Sequence, residues 1–162
     1  METEGHVGAA LLLYSPIGLV AIVLADGQLA MFGGIVAVSL AMAPDVDLRI
    51  PVLKHRGSTH TVWFALAVGL VTALVGASAT DAGVMAASGG ALFGFLVGAV
   101  TVLSHLAADS LTPAGIRPFW PIRSEEYSFE VTRASNPVAN YLLLGLGGGV
   151  AISILAVGQG LT

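Results

Sequence analysis

Five apolar stretches, Ala9–Ala25, Leu29–Ala43, Val62–Ala79, Val84–Leu103 and Val138–Gly158, take up more than half of the chain and contain no charged residue. Water is a poor solvent for such segments. A bilayer suits them, provided each one satisfies its backbone groups internally as a helix. A spanning helix needs about 20 residues. Leu29–Ala43 is therefore expected to be short, and Ser15-Pro16 is expected to kink or interrupt the first stretch. A cleaved signal peptide is the rival reading of that stretch, but Glu2 and Glu4 stand where a signal carries basic residues. The expected fold is all-α: a polytopic transmembrane bundle of about five helices, the second short, forming one membrane domain over residues 1–162.

The connections are of two kinds. Asp26-Gly27-Gln28 and Thr80-Asp81-Ala82-Gly83 are tight turns, whereas Pro44–Thr61 and Ala108–Pro137 are long polar loops. Alternating passes put both tight turns on one side and both long loops on the other, together with the N-terminus. All six cationic residues, Arg49, Lys54, Arg56, Arg117, Arg123 and Arg133, fall in the long loops. The positive-inside rule then makes those loops cytoplasmic, with the N-terminus inside, the C-terminus outside and the cell membrane as location. Only 10% of residues are charged and the net charge is -4, which gives no basic footprint for a nucleic acid. The expected surroundings are membrane lipid.

Glycines recur four residues apart at Gly90, Gly94 and Gly98, and again at Gly145 and Gly149. This spacing lets membrane helices approach closely, either within one bundle or between copies in a homo-oligomer. His105 and Asp109 lie within the same roughly 100° arc as the first glycine series, so that face ends in an ionisable pair.

The remaining polar residues gather on one side. His6 precedes the first apolar stretch, Asp45 and Asp47 follow Pro44, His55 and His60 bracket Gly57, and His105 and Asp109 end the fourth stretch. Pro44 is expected to end its helix and start a loop with the two Asp residues. Gly57 is expected to allow a positive-φ turn that turns His55 and His60 toward one ion; in the alternative reading Ser58 or Thr59 is just an N-cap and the histidines are solvated loop residues. His105 and Asp109, one turn apart, could share a metal, or Asp109 could orient the imidazole. With no Cys in the chain, any metal is held by His and carboxylate. Ionisable groups at a membrane face call for mutual pairing or a cation.

In these blocks the sequence resembles the YdjM-type family of membrane-bound, predicted metal-dependent hydrolases. The resemblance rests on His6 before the first helix, Pro44-Asp45-Val46-Asp47, His55-Arg56-Gly57-Ser58-Thr59-His60-Thr61, and His105-Leu106-Ala107-Ala108-Asp109-Ser110-Leu111-Thr112-Pro113-Ala114-Gly115. It spans Gly5 to about Ile122. It implies a small polytopic membrane protein with a metal site and a hydrolase assignment. The final helix reads only as an anchor.

The expected function is a membrane-embedded, metal-dependent hydrolase with its site at the cytoplasmic face. Asp47, His60, His105 and Asp109 are the favoured ligands, with Asp45, His55 and His6 as supporting groups or ligands of a second ion. Asp45 is the expected general base, and Arg56 or Arg117 the expected anion-binding group for a phosphoester or lipid-type substrate. A divalent ion is expected: Zn²⁺ suits the donor set, with Mn²⁺ or Fe²⁺ as alternatives. Two other readings stand beside it, a metal-binding or metal-transporting membrane protein without hydrolase activity, and a structural adaptor in which the His and Asp groups form a hydrogen-bonded plug.

Overall fold

A computed structural model describes residues 1–52 and 54–159 as a bundle of five helices, α1 (Thr3–Leu24), α2 (Gly27–Leu40), α3 (Val62–Ser78), α4 (Val84–Ser110) and α5 (Pro137–Gln159). Two short 3-10 helices, Pro44–Arg49 and Ser58–His60, lie between α2 and α3. Among the described residues there is no β-strand, only an isolated bridge between Ile116 and Tyr127. Four segments are long and apolar enough to cross a membrane: Thr3–Leu24, Gly27–Arg49, Val84–Ser110 and Pro137–Gly158. The apolar α3, at 17 residues, is shorter. The bundle exposes large apolar side chains such as Leu24, Leu70, Leu74 and Leu142, as a lipid-facing surface requires.

The first helix differs from expectation at both its start and its middle. It begins at Thr3, so His6 lies inside α1 and not ahead of it. It also runs unbroken through Pro16. Proline there removes one N–H, but neighbouring helices and a hydroxyl make this tolerable in a membrane helix; the adjacent Ser15 Oγ donates to the Leu11 carbonyl at 2.7 Å.

Asp26 starts α2 by accepting from the Leu29 N–H at 2.8 Å, and α2 is short as expected, at 14 residues. The expected loop after Pro44 is instead a 3-10 helix, Pro44–Arg49, with the proline in its first turn, where its missing N–H costs nothing. The third helix is capped by Thr61, whose side chain accepts from Phe64 N–H, and not by Ser58 or Thr59.

α3 packs along α4, and α1 along α5. At the first contact Gly76 and Gly90 touch so closely that a Cβ on either would run into the other's carbonyl oxygen, and Gly94 approaches the Thr72 carbonyl in the same way. The first glycine series is thus used within the molecule. In α5 it is Gly147 that meets the Gly8 backbone of α1, while Gly145 and Gly149 face open space. The last helix is more than an anchor: Asn140, 1% exposed, accepts from Glu2 N–H at 3.1 Å and donates to the Ala134 and Asn136 carbonyls. This pins the first turn of α5 to the start of α1, and so fixes where His6 stands.

The 111–136 segment folds back over the same end. Phe129 N–H and Thr132 N–H bond the Ser110 and Leu111 carbonyls, satisfying the C-terminus of α4, and the Pro118 carbonyl receives Val62 N–H at the start of α3.

Candidate metal centre

The beginnings of α1 and α3 and the ends of α2 and α4 meet at one end of the bundle, so chain direction alone brings His6, Asp45, Asp47, His55, His60, His105 and Asp109 together. All but Asp45 and His55 are buried, and His6, His60 and His105 are among the largest fully buried side chains of the molecule. The largest interior groups at this end are therefore polar.

His60 and His105 face each other through Nε2 at 3.3 Å. Asp45 Oδ1 lies 3.3 Å from His60 Nε2 and 3.5 Å from His105 Nε2, and Asp109 Oδ2 lies 3.6 and 3.7 Å from the same two nitrogens. The far side of each ring is occupied. His105 Nδ1 sits 2.8 Å from the Ala41 carbonyl, which can only accept, so this nitrogen carries the hydrogen and Nε2 presents a lone pair in the neutral ring. Thr59 Oγ1 donates to Asp47 Oδ2 at 2.8 Å, and the Nδ1 of His60 lies 3.1 Å from that hydroxyl and 3.4 Å from that carboxylate oxygen. The same reasoning leaves His60 Nε2 as a lone pair. Four electron-rich atoms thus point at one small volume.

That arrangement fits a divalent cation. Tetrahedral ligands at about 2.0–2.1 Å from an ion stand about 3.3–3.4 Å from each other, close to the separations here. His6 gives a second sign. Its ring stacks on His105 with centroids 3.6 Å apart, and it is 1% exposed, yet neither nitrogen has a hydrogen-bond partner among the described residues. Its Nε2 approaches Asp109 Oδ1 to 3.4 Å without the alignment of a hydrogen bond. A buried imidazole left this way is costly unless something electrophilic meets it. Two groups, Asp45, Asp47, His55 and His60, and His6, His105 and Asp109, have donor atoms close enough to hold an ion.

The two aspartates of the 3-10 helix do different things. At about three residues per turn, side chains two apart leave the axis in directions roughly 120° apart. Asp45 consequently faces the two Nε2 atoms. Asp47 faces the Nδ1 side of His60, accepts from Arg56 N–H at 3.1 Å and lies 2.9 Å from His55 Nδ1. Its carboxylate grips the 55–60 loop from inside.

In that loop the positive φ falls on Arg56, at 59°, and not on Gly57. Gly57 has φ -91° and ψ -125°, and a Cβ there would stand 2.7 Å from the Lys54 carbonyl oxygen. Close approach, not handedness, is what needs glycine. The turn carries the Arg56 guanidinium inward, where Nη2 pairs with Asp109 Oδ1 at 3.1 Å and Nη1 donates to the Gly115 carbonyl at 2.8 Å and to Thr112 Oγ1 at 3.3 Å. Arg117 stays outside, bonded to Glu126 at 3.0 Å. Of the residues that shape the site, Asn140 is not singled out by the sequence reading, although it stands there as a lone amide in an apolar stretch, while Thr59 reads there only as a cap and Thr112 only as part of the resemblance.

The fold and this cluster define a class: a helical membrane protein with a buried His/Asp centre able to hold a metal ion at one end of its bundle. The chain belongs to the YdjM inner membrane protein family, whose model matches residues 1–160. No curated protein and no solved structure matches this chain.

Proposed function

We propose that this protein is a membrane-embedded, metal-dependent hydrolase. The observation that carries this reading is that Asp45 Oδ1 and Asp109 Oδ2 each lie 3.3–3.7 Å from His60 Nε2 and His105 Nε2, which themselves stand 3.3 Å apart. Those four residues would hold the ion, for which Zn²⁺ suits the two nitrogens and two oxygens, with Mn²⁺ or Fe²⁺ as alternatives. A bound divalent ion supplies Lewis-acid activation of water and of the bond to be cleaved.

The chain's own residues do the positioning. The Ala41 carbonyl and the Thr59–Asp47 pair hold the two imidazoles with Nε2 inward, as partners of metal-binding histidines do. Arg56 holds Asp109 by one oxygen and leaves the other turned to the cluster. In this reading Asp45 is a ligand of the ion, where the sequence suggests chiefly a general base, and Asp47 an orienting group, where the sequence suggests a ligand. His6 would support Asp109 or serve a second ion. A stationary centre is favoured over a transport path because the other buried polar groups of the helices form no ladder of ligands: Ser15, Thr101, Ser104 and Ser110 bond carbonyls of their own helices, Tyr14 donates to the Ala30 carbonyl, and Asn140 joins the Glu2 N–H to the Ala134 and Asn136 carbonyls. The proposed orientation has the centre and both long loops in the cytoplasm.

The test is elemental analysis of purified, detergent-solubilised protein together with a panel of carboxylic, phosphomonoester and phosphodiester substrates. Bound metal with chelator-sensitive turnover is expected. Metal-free wild-type protein prepared without chelator sinks the reading, and bound metal with flux into proteoliposomes but no turnover replaces it with transport.

A further inference from the structure

A cleft of about 500 Å³ opens between Val52 and residues 54–58 on one side and residues 114–117, Trp120 and Glu126 on the other. Lys54, Arg56 and Arg117 line it, against one carboxylate, Glu126. Two of its lining residues touch the buried cluster directly: Arg56 through Asp109 at 3.1 Å, and His55 through Asp47 at 2.9 Å. The cleft is therefore the antechamber of the centre; Arg56 and Arg117 are paired with Asp109 and Glu126, and Lys54 adds a positive charge beyond those pairs. Lys54 makes none of the ion pairs found among the described residues, so its charge is free to meet a ligand.

The rim is apolar. Val52, 89% exposed, and Trp120, 45% exposed, line the cleft, and Ile122, two residues after Trp120 in the chain, is 72% exposed. A soluble phosphate would gain nothing from these side chains. A lipid would, because exposed aliphatic groups and a tryptophan at a membrane face settle among headgroups and upper acyl carbons while lysine and arginine meet the phosphate.

We propose that this cleft binds the phosphate of an anionic membrane lipid, with Lys54 and Arg117 as headgroup contacts and Trp120 as the interfacial anchor. The inference rests on the hydrolase reading only for the step after binding, in which the cleft would present the lipid's phosphoester to the cluster behind Arg56. Binding itself needs neither metal nor turnover.

The test uses the full chain in nanodiscs, with Trp63 replaced (Trp63→Phe) so that Trp120 is the sole tryptophan. Trp120 quenching is read with lipids brominated on the acyl chain, phosphatidic acid in one arm and phosphatidylcholine in the other. At least threefold stronger quenching by the anionic lipid is expected, falling to the phosphatidylcholine level in a Lys54→Gln, Arg117→Gln double variant of unchanged metal content and melting temperature. Equal quenching by both lipids overturns the proposal. So does abolition of the anionic preference by millimolar inorganic phosphate, which would make the ligand a soluble phosphate ester. Metal content is measured on the same samples, so a cleft that selects anionic lipid in a protein that binds no metal fails the hydrolase reading and leaves the cleft standing.

Discussion

His60 and His105 present their Nε2 atoms to each other at 3.3 Å, with the opposite nitrogen of each ring spent on a carbonyl or on the Thr59–Asp47 pair. Two lone pairs at that distance, flanked by the oxygens of Asp45 and Asp109, repel unless a positive centre lies between them. Replacing both histidines (His60→Ala, His105→Ala) is expected to remove bound metal from a protein that otherwise carries about one equivalent, as read by elemental analysis. Full retention of metal in the double variant would place the ion elsewhere.

The two aspartates of the 3-10 helix should separate cleanly. Asp45→Asn removes a proposed ligand and should leave the site empty at micromolar metal. Asp47→Asn removes only the support behind His60 and His55, and should weaken metal affinity by about 10–100-fold while excess metal still fills the site. Competition titration with a chromophoric chelator measures both, and the reverse ranking would restore Asp47 as the ligand.

Arg56 supplies a positive charge to Asp109, whose side chain is 2% exposed. Leaving a buried charge without a partner costs about 3–5 kcal/mol. Asp109 Oδ1 also meets the Met1 nitrogen at 2.5 Å and His6 Nε2 at 3.4 Å, so removing Arg56 takes away one of several partners and costs less. Arg56→Gln should therefore lower the melting temperature of metal-free protein by less than a fully broken buried pair would, and added metal should recover part of the loss by neutralising the same carboxylate. Equal losses with and without metal would show that Arg56 acts on the loop alone.

Close packing of α3 against α4 should be sensitive to a single added side chain. Gly76→Val or Gly90→Val puts side-chain carbons where backbone oxygens now lie, and should destabilise the protein by about 1–3 kcal/mol through forced separation of the two helices. Gly149→Ala, which meets open space, should be neutral in the same thermal scans.

Orientation can be read in cells because the chain has no cysteine. Asp26→Cys should react with an impermeant maleimide added outside, and Ser58→Cys only after the membrane is opened. External labelling of Ser58→Cys would invert the proposed topology.

Much of the architecture was present in the linear chain. Apolar length determined that the protein is a membrane bundle of five helices, and the alternation of tight turns with long loops determined that the His and Asp residues share one end. Both outcomes come from local properties: the transfer of apolar groups out of water, and the reversal of direction at each turn. The chain also implied that Gly90 and Gly94 meet another helix, though not that the partner is Gly76 and Thr72 of α3. What the tertiary structure decided is direction. Asp45 and Asp47 are two residues apart, and only the 3-10 geometry turns one into the cluster and the other behind His60. Arg56 faces Asp109 because its own φ is positive, and His6 is held under the roof of the site because Asn140 of the last helix ties down the start of the first. Such outcomes depend on dihedral angles selected by packing between segments far apart in the chain, and no local pattern of residues encodes them.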